Sequence, residues 1–264
     1  MTHAPSLFVS HGSPMLALED GPARRFLTQL GPRLGKPAGI VVVSAHFEEA
    51  EPTVTSNPHP ETIHDFGGFP RALHEMLYPA PGSPALADMI RRALAAAGIE
   101  SVEDAKRGLD HGAWVPLGLM FPKADVPVAQ LSISPDRDPA WHYALGEALR
   151  PLREENILIL GSGSITHNLR ELERPTPDAA PAPWAEAFTE WVFENVAAGR
   201  TDALLHYEDR APQPARAHPT DDHFLPFFAA LGAGLPGEPV ERLHHSFTYG
   251  SLGMDVYAFG RLPA

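Results

Sequence analysis

The chain has 264 residues, enough for one large α/β domain or two small ones. Its 33 acidic against 20 basic residues give a formal charge of −13, and no Lys or Arg cluster interrupts it, which argues against a phosphate-backbone or anionic-membrane binder. With no cysteine, disulfides, thiolate catalysis, iron–sulfur clusters and cysteine-ligated zinc are all excluded.

In chain order, residues 6–10 read as a short apolar strand that ends at the turn His11-Gly12-Ser13-Pro14. Residues 23–34, with Phe26, Leu27 and Leu30 three and four apart, predict an amphipathic helix. Gly39-Ile40-Val41-Val42-Val43-Ser44-Ala45-His46 is β-branched and free of charge, the pattern of a strand buried on both faces. Residues 49–70 are a polar, Pro-rich excursion in which Thr53-Val54-Thr55 pairs at an edge and 63–70 is loop. A brief helix at 73–77 precedes one that starts at Ser83, an N-cap with Pro84 at the first helical position, and stops at Gly98.

Asp110-His111-Gly112-Ala113-Trp114 reads as a loop before the apolar stretch 115–121. Strands at 126–134 and 157–160 flank a helix at 141–154. A Pro- and Ala-rich surface loop at 175–183 leads to a helix at 184–196. The Pro-rich 211–220 reaches Asp221-Asp222-His223, a helix covers 227–231, and 254–259 alternates as a final strand. Strand–helix alternation over residues 1–264 predicts one α/β domain with a mainly parallel central sheet flanked by helices on both faces. The start, Met1-Thr2-His3-Ala4-Pro5, lacks a basic region followed by an apolar core, and no run reaches the length of a membrane span. The expectation is a cytoplasmic protein without membrane or nucleic-acid partners, monomeric or homodimeric.

Histidine, at 14 copies, is the compositional feature to follow. Three apolar strands end in the same way, at small residues and then at His11, His46 and, after a longer turn, His167. Ligands in open α/β sheets sit outside the carboxyl ends of the strands, so these imidazoles are expected at one sheet edge as a metal site. For each, a hydrogen-bonded strand-end histidine is the plainer alternative. His167, before Asn168-Leu169, equally suits helix capping. His111 is either an acid–base residue or a packed loop residue, and His223 follows two aspartates, either of which suits a helix cap. His3, His59, His142, His206, His244 and His245 are read as surface or packing residues. No zincin, dinucleotide, P-loop or nucleophile-elbow motif is complete, so Ser13 and Ser164 are read as turn residues.

The ordered motifs His11-Gly12-Ser13-Pro14, Ser44-Ala45-His46, Ile63-His64-Asp65-Phe66-Gly67-Gly68-Phe69-Pro70, Tyr78-Pro79-Ala80-Pro81-Gly82, Asp110-His111-Gly112, His167-Asn168-Leu169, His223-Phe224-Leu225-Pro226 and Tyr249-Gly250-Ser251-Leu252-Gly253-Met254 span nearly the whole chain. In them the sequence resembles the 4,5-DOPA extradiol dioxygenase family, a branch of the class III extradiol ring-cleavage dioxygenases. The resemblance implies one divalent ion per chain, iron(II) for catalysis with zinc(II) possible in purified protein, and a small aromatic diol and O2 as reactants. It maps metal histidines onto His11, His46 and His223, makes His167 a fourth ligand or the acid–base residue, and places His111 in the substrate pocket. A three-histidine set departs from the two-histidine, one-carboxylate triad of many iron oxygenases, and Asp222 and Glu48 are nearby carboxylates that could substitute. Two other readings use the same histidines: a zinc-dependent hydrolase, and a non-enzymatic metal-binding scaffold.

Overall fold

The computed structural model describes residues 3–173 and 176–263, so Pro175 of the predicted loop lies outside the described residues. The strands are β1 (Ser6–Ser10), β2 (Gly39–Glu48), β3 (Thr53–Thr55), β4 (Val102–Asp104), β5 (Val128–Ile133), β6 (Ile157–Gly163), β7 (Val240–His244), β8 (Phe247–Thr248), β9 (Leu252–Gly253) and β10 (Val256–Phe259). Eight of them form one sheet in the order β4-β3-β5-β2-β6-β1-β10-β7. The central neighbours β5, β2, β6 and β1 run parallel, while β10 pairs antiparallel with β1, and β3 with β5. The mainly parallel α/β architecture expected from the sequence is therefore present.

The helices are α1 (Pro22–Leu34), α2 (Arg71–His74), α3 (Pro84–Ala96), α4 (His111–Met120), α5 (Pro139–Leu149), α6 (Pro183–Ala197), α7 (Thr201–Leu205), α8 (Tyr207–Arg210), α9 (Pro214–Ala217) and α10 (Leu225–Ala233). The β-branched central strands feed two cores at once because alternate side chains leave opposite faces. Ile40 and Val42 of β2 join Leu27 and Leu30 of α1 and Leu117 of α4 on one face. Val41 and Val43 join Leu86 and Ile90 of α3 and Leu145 and Leu149 of α5 on the other. A third, aromatic cluster around Phe188, Phe224, Phe227 and Tyr257 packs α6 and α10 near β1 and β10.

Three local expectations are corrected. Asp110–Trp114 is no loop but the start of α4: the Asp110 carboxylate accepts from Ala113 N at 3.2 Å and caps the helix, most of whose residues are apolar and buried. The helix expected through 154 stops at Leu149 and tightens into a 3-10 segment, Arg150–Glu155, as Pro151 removes an amide donor. The Pro-rich 211–220 carries the short helix α9.

Two glycines of β6 bring the next segment onto the sheet. A Cβ at Gly161 would stand 2.2 Å from Pro226 O, and one at Gly163 would stand 2.1 Å from His223 O. Only residues without side chains allow the backbone around His223 to lie that close to β6.

Candidate metal centre

His11 directly follows β1, and its amide donates to Gly163 O at 2.9 Å. His46 lies near the end of β2, where pairing with β5 changes register between Ser44 and Glu48. His223 precedes α10, and its carbonyl accepts from Ser164 N at 2.8 Å. Three segments far apart in sequence are thus fastened around the carboxyl end of β6.

The result is a convergence of ring nitrogens. His46 Nε2 stands 3.0 Å from His11 Nε2 and 3.3 Å from His223 Nε2. Two nitrogens about 2.1 Å from a common ion, at angles of about 90° to 109°, lie roughly 3.0 to 3.4 Å apart, so the spacing suits one small divalent cation. The tautomers fit as well. Ser162 Oγ donates to Gly112 O and therefore accepts from His11 Nδ1, at 3.0 Å. Asp222 accepts from His223 Nδ1 in a short hydrogen bond. With Nδ1 protonated on both rings, the Nε2 atoms of His11 and His223 carry lone pairs, and a single proton on His46 could serve only one of them. Burial, followed by the neighbouring imidazoles, holds His11 well below the usual histidine pKa, and His223 likewise. Burial lowers His46 to about 4, with His111 adding to the shift and Asp110 and Asp65 opposing it. Neutral imidazole is the ligating form.

His167 and His111 flank this trio through different rings. His167 stacks on His223 with centroids 3.4 Å apart and planes 10° from parallel, and burial lowers its pKa to about 4. It groups with Asp222 and His223 rather than with the three converging nitrogens. His111, the first residue of α4, packs against His46 with centroids 3.9 Å apart, and its Nδ1 donates to Asp65 Oδ2 at 2.9 Å. Behind His46, the buried Asp110 carboxylate accepts from Ser44 Oγ at 2.7 Å, Gln130 Nε2 at 2.6 Å and Arg107 Nη2 at 3.3 Å. Arg107 also donates to His46 O at 2.9 Å. This network fixes the backbone that carries the imidazole.

Asp222 accepts the His223 Nδ1–H hydrogen bond, a placement that orients the ring, while Glu48 is exposed and joins none of the candidate ligand groups among the described residues. The set-aside His142 is buried in packing, accepting from Ser134 N at 3.2 Å. Sequence reasoning missed Ser162 and gave Asp65 no role. It also passed over His218, which is buried against Phe188 and stacked on Phe224. The Asp in His64-Asp65-Phe66, beside a histidine in a Gly-rich loop, was the one available signal.

Residues 1–260 match the family described as the catalytic LigB subunit of aromatic ring-opening dioxygenase. The chain belongs to this family. It is similar to the 4,5-DOPA dioxygenase extradiol of Beta vulgaris, 44% identical over 258 residues that cover 96% of each protein. The protein of the same name from Escherichia coli (strain K12) is 42% identical over 256 residues, covering 96% of this chain and 93% of its own. A crystal structure of an uncharacterized protein from Escherichia coli K12 superposes with a TM-score of 0.84 at 37% identity, covering 97% of this chain and 100% of that one. The chain is accordingly an extradiol, aromatic ring-opening dioxygenase, and the hydrolase and non-enzymatic readings fall away. Among the described residues no helix is long and apolar enough to cross a membrane.

Proposed function

We propose that the protein opens a catechol-type ring, with a DOPA-like catechol as substrate, using one iron(II) ion held by His11, His46 and His223. The observation that carries this reading is the convergence of three neutral imidazoles, two with their Nδ1 protons committed elsewhere, in a chain of the ring-opening family. Iron(II) would supply an open coordination site for O2 and make a ligated phenol acidic near neutral pH. Both oxygen atoms enter the opened product, so no external reductant is required.

The protein's own groups do the remaining work. His167 is neutral at pH 7 and accepts the phenolic proton. Asp222, which opposes the downward shift of His167, stabilises the imidazolium once that proton arrives. Being stacked on His223 keeps the His167 ring beside the metal ligands without competing for their place. His111, held by Asp65, is the second proton-handling group and lines the pocket with Phe66, whose ring meets it edge-on at 5.6 Å. Trp114, buried next in α4, helps to exclude water from that side.

The test is anaerobic loading with Fe(II), followed by a catechol panel that includes DOPA under air. The expected result is O2 uptake with a yellow ring-opened product. Iron uptake without either signal across the panel refutes the proposal. His46→Ala is expected to lose both metal and turnover.

A further inference from the structure

Residues 63–70 form a loop pinned at its start, with two glycines that face open space near its end. Ile63 N donates to Leu109 O at 2.8 Å, and Trp114 Nε1 donates to Ile63 O at 2.9 Å. At Gly67 and Gly68 an added Cβ would meet nothing within 4 Å. Between these ends stands Asp65, which grips His111 at two points. Its Oδ1 accepts from His111 N and its Oδ2 from His111 Nδ1, each at 2.9 Å. The same Oδ2 lies 3.7 Å from His46 Nδ1.

We propose that Asp65 is a positioning residue that locks His111 into its Nδ1–H tautomer, leaving Nε2 as the nitrogen that exchanges protons with substrate. An ionised carboxylate can only accept, so a ring nitrogen held against it carries the hydrogen. The second contact, to the His111 amide, fixes the carboxylate to the first turn of α4, where the helix dipole favours negative charge. One residue thereby sets both the orientation and the tautomer of the imidazole. Among the described residues, His111 Nε2 forms no protein hydrogen bond and remains available. The catalytic part of this inference rests on the proposed ring-opening function, whereas the tautomer does not.

Asp65→Asn is the discriminating variant because it keeps the shape and one acceptor. Its amide oxygen can still accept from His111 N, which turns the NH2 donor toward Nδ1 and favours the Nε2–H tautomer. Protein loaded with Zn(II) and labelled with 15N-histidine reports the tautomer directly by long-range 1H–15N correlation. The wild type is expected to show His111 as Nδ1–H and Asp65→Asn to show it as Nε2–H. With Fe(II), kcat is expected to fall on the order of 10- to 100-fold while KM changes less than about threefold, the size typical for loss of an orienting partner. An unchanged His111 tautomer in Asp65→Asn overturns the proposal, as does a changed tautomer with unaltered kcat in an active enzyme. If the wild type itself opens no catechol, the ring-opening reading fails, and the tautomer measurement still decides the role of Asp65.

Discussion

Ser162→Ala isolates the contribution of a single hydroxyl to metal binding. Ser162 is fully buried, donates to Gly112 O and accepts from His11 Nδ1 at 3.0 Å. Removing it gives His11 two choices. The ring can keep its Nδ1 proton, leaving a buried donor without a partner at a cost of about 1–3 kcal/mol. It can instead move the proton to Nε2, the nitrogen facing His46, which blocks the lone pair a cation needs. The metal-free ring takes the second course, so binding must return the proton to Nδ1 and leave that donor unpaired; at about 1.4 kcal/mol per tenfold, about 1–3 kcal/mol corresponds to roughly 5- to 150-fold. The expected loss is thus about 10- to 100-fold in Zn(II) or Fe(II) affinity, measured by anaerobic competition against a chromophoric chelator. Ser164→Ala serves as the control, because Ser164 Oγ donates to Thr166 O at 2.8 Å and touches no ligand ring. It should cost about 1 kcal/mol of stability and leave metal affinity within twofold. Equal affinity for Ser162→Ala and wild type, with urea unfolding showing an intact fold, would refute the assignment of His11 Nε2 as a ligand.

His167→Gln is expected to retain metal but lose at least about 100-fold in kcat, the usual range for a general base; steady-state O2 uptake on metal-quantified protein checks this. Gly163→Ala drives a methyl into His223 O, 2.1 Å away, and should destabilise the fold by about 1–3 kcal/mol in chemical denaturation and weaken metal binding together. Burial lowers His142 from 6.5 to about 4, so between these values the unfolded chain binds more protons than the native one. Stability contributed by its neutral form is complete above about pH 6.5 and declines as pH falls toward 4, by on the order of 3 kcal/mol for this group. Urea midpoints of metal-free protein across that window should drop, and a flat profile would contradict the buried neutral state.

The sequence signals that worked were those in which local pattern and burial agree. β2 was readable because an uncharged β-branched run has few other homes, and its exit at Ser44-Ala45-His46 matched the exits of β1 and β6. α4 was hidden by its own burial: with apolar residues on every side and Pro116 inside, it has no 3.6-residue alternation to detect. The edge strands β4 and β7, Val-Glu-Asp and Val-Glu-Arg-Leu-His, are short and polar, and sheet pairing rather than propensity makes them strands. His11 and His46 could be nominated from strand ends, together with His167, whereas His223 entered the proposed ligand set only through the family resemblance. The pairing of His111 with Asp65, 46 residues apart, could not, since no local rule links a loop carboxylate to a later helix start. His218 shows the opposite failure, a histidine buried among aromatic rings whose sequence neighbours are Pro, Ala and Thr.

Gly161-Ser162-Gly163-Ser164 superficially invites a phosphate-loop reading, yet each of its four residues makes a contact that holds a histidine-bearing segment in place. Gly161 and Gly163 admit the backbone around Pro226 and His223, Ser162 orients His11, Gly163 O accepts the His11 amide, and Ser164 N holds the His223 carbonyl. The end of β6 is therefore the common support for two of the three proposed ligands, and β2, which carries the third, pairs directly with it. A cation bridging these segments can be bound only when all three are docked, so its binding energy adds to the stability of the native sheet. At a free metal concentration 100 times Kd, that linkage amounts to about 2.7 kcal/mol. The same dependence explains why substitutions along β6 that never touch the ion, Gly163→Ala above all, should weaken metal binding and fold together.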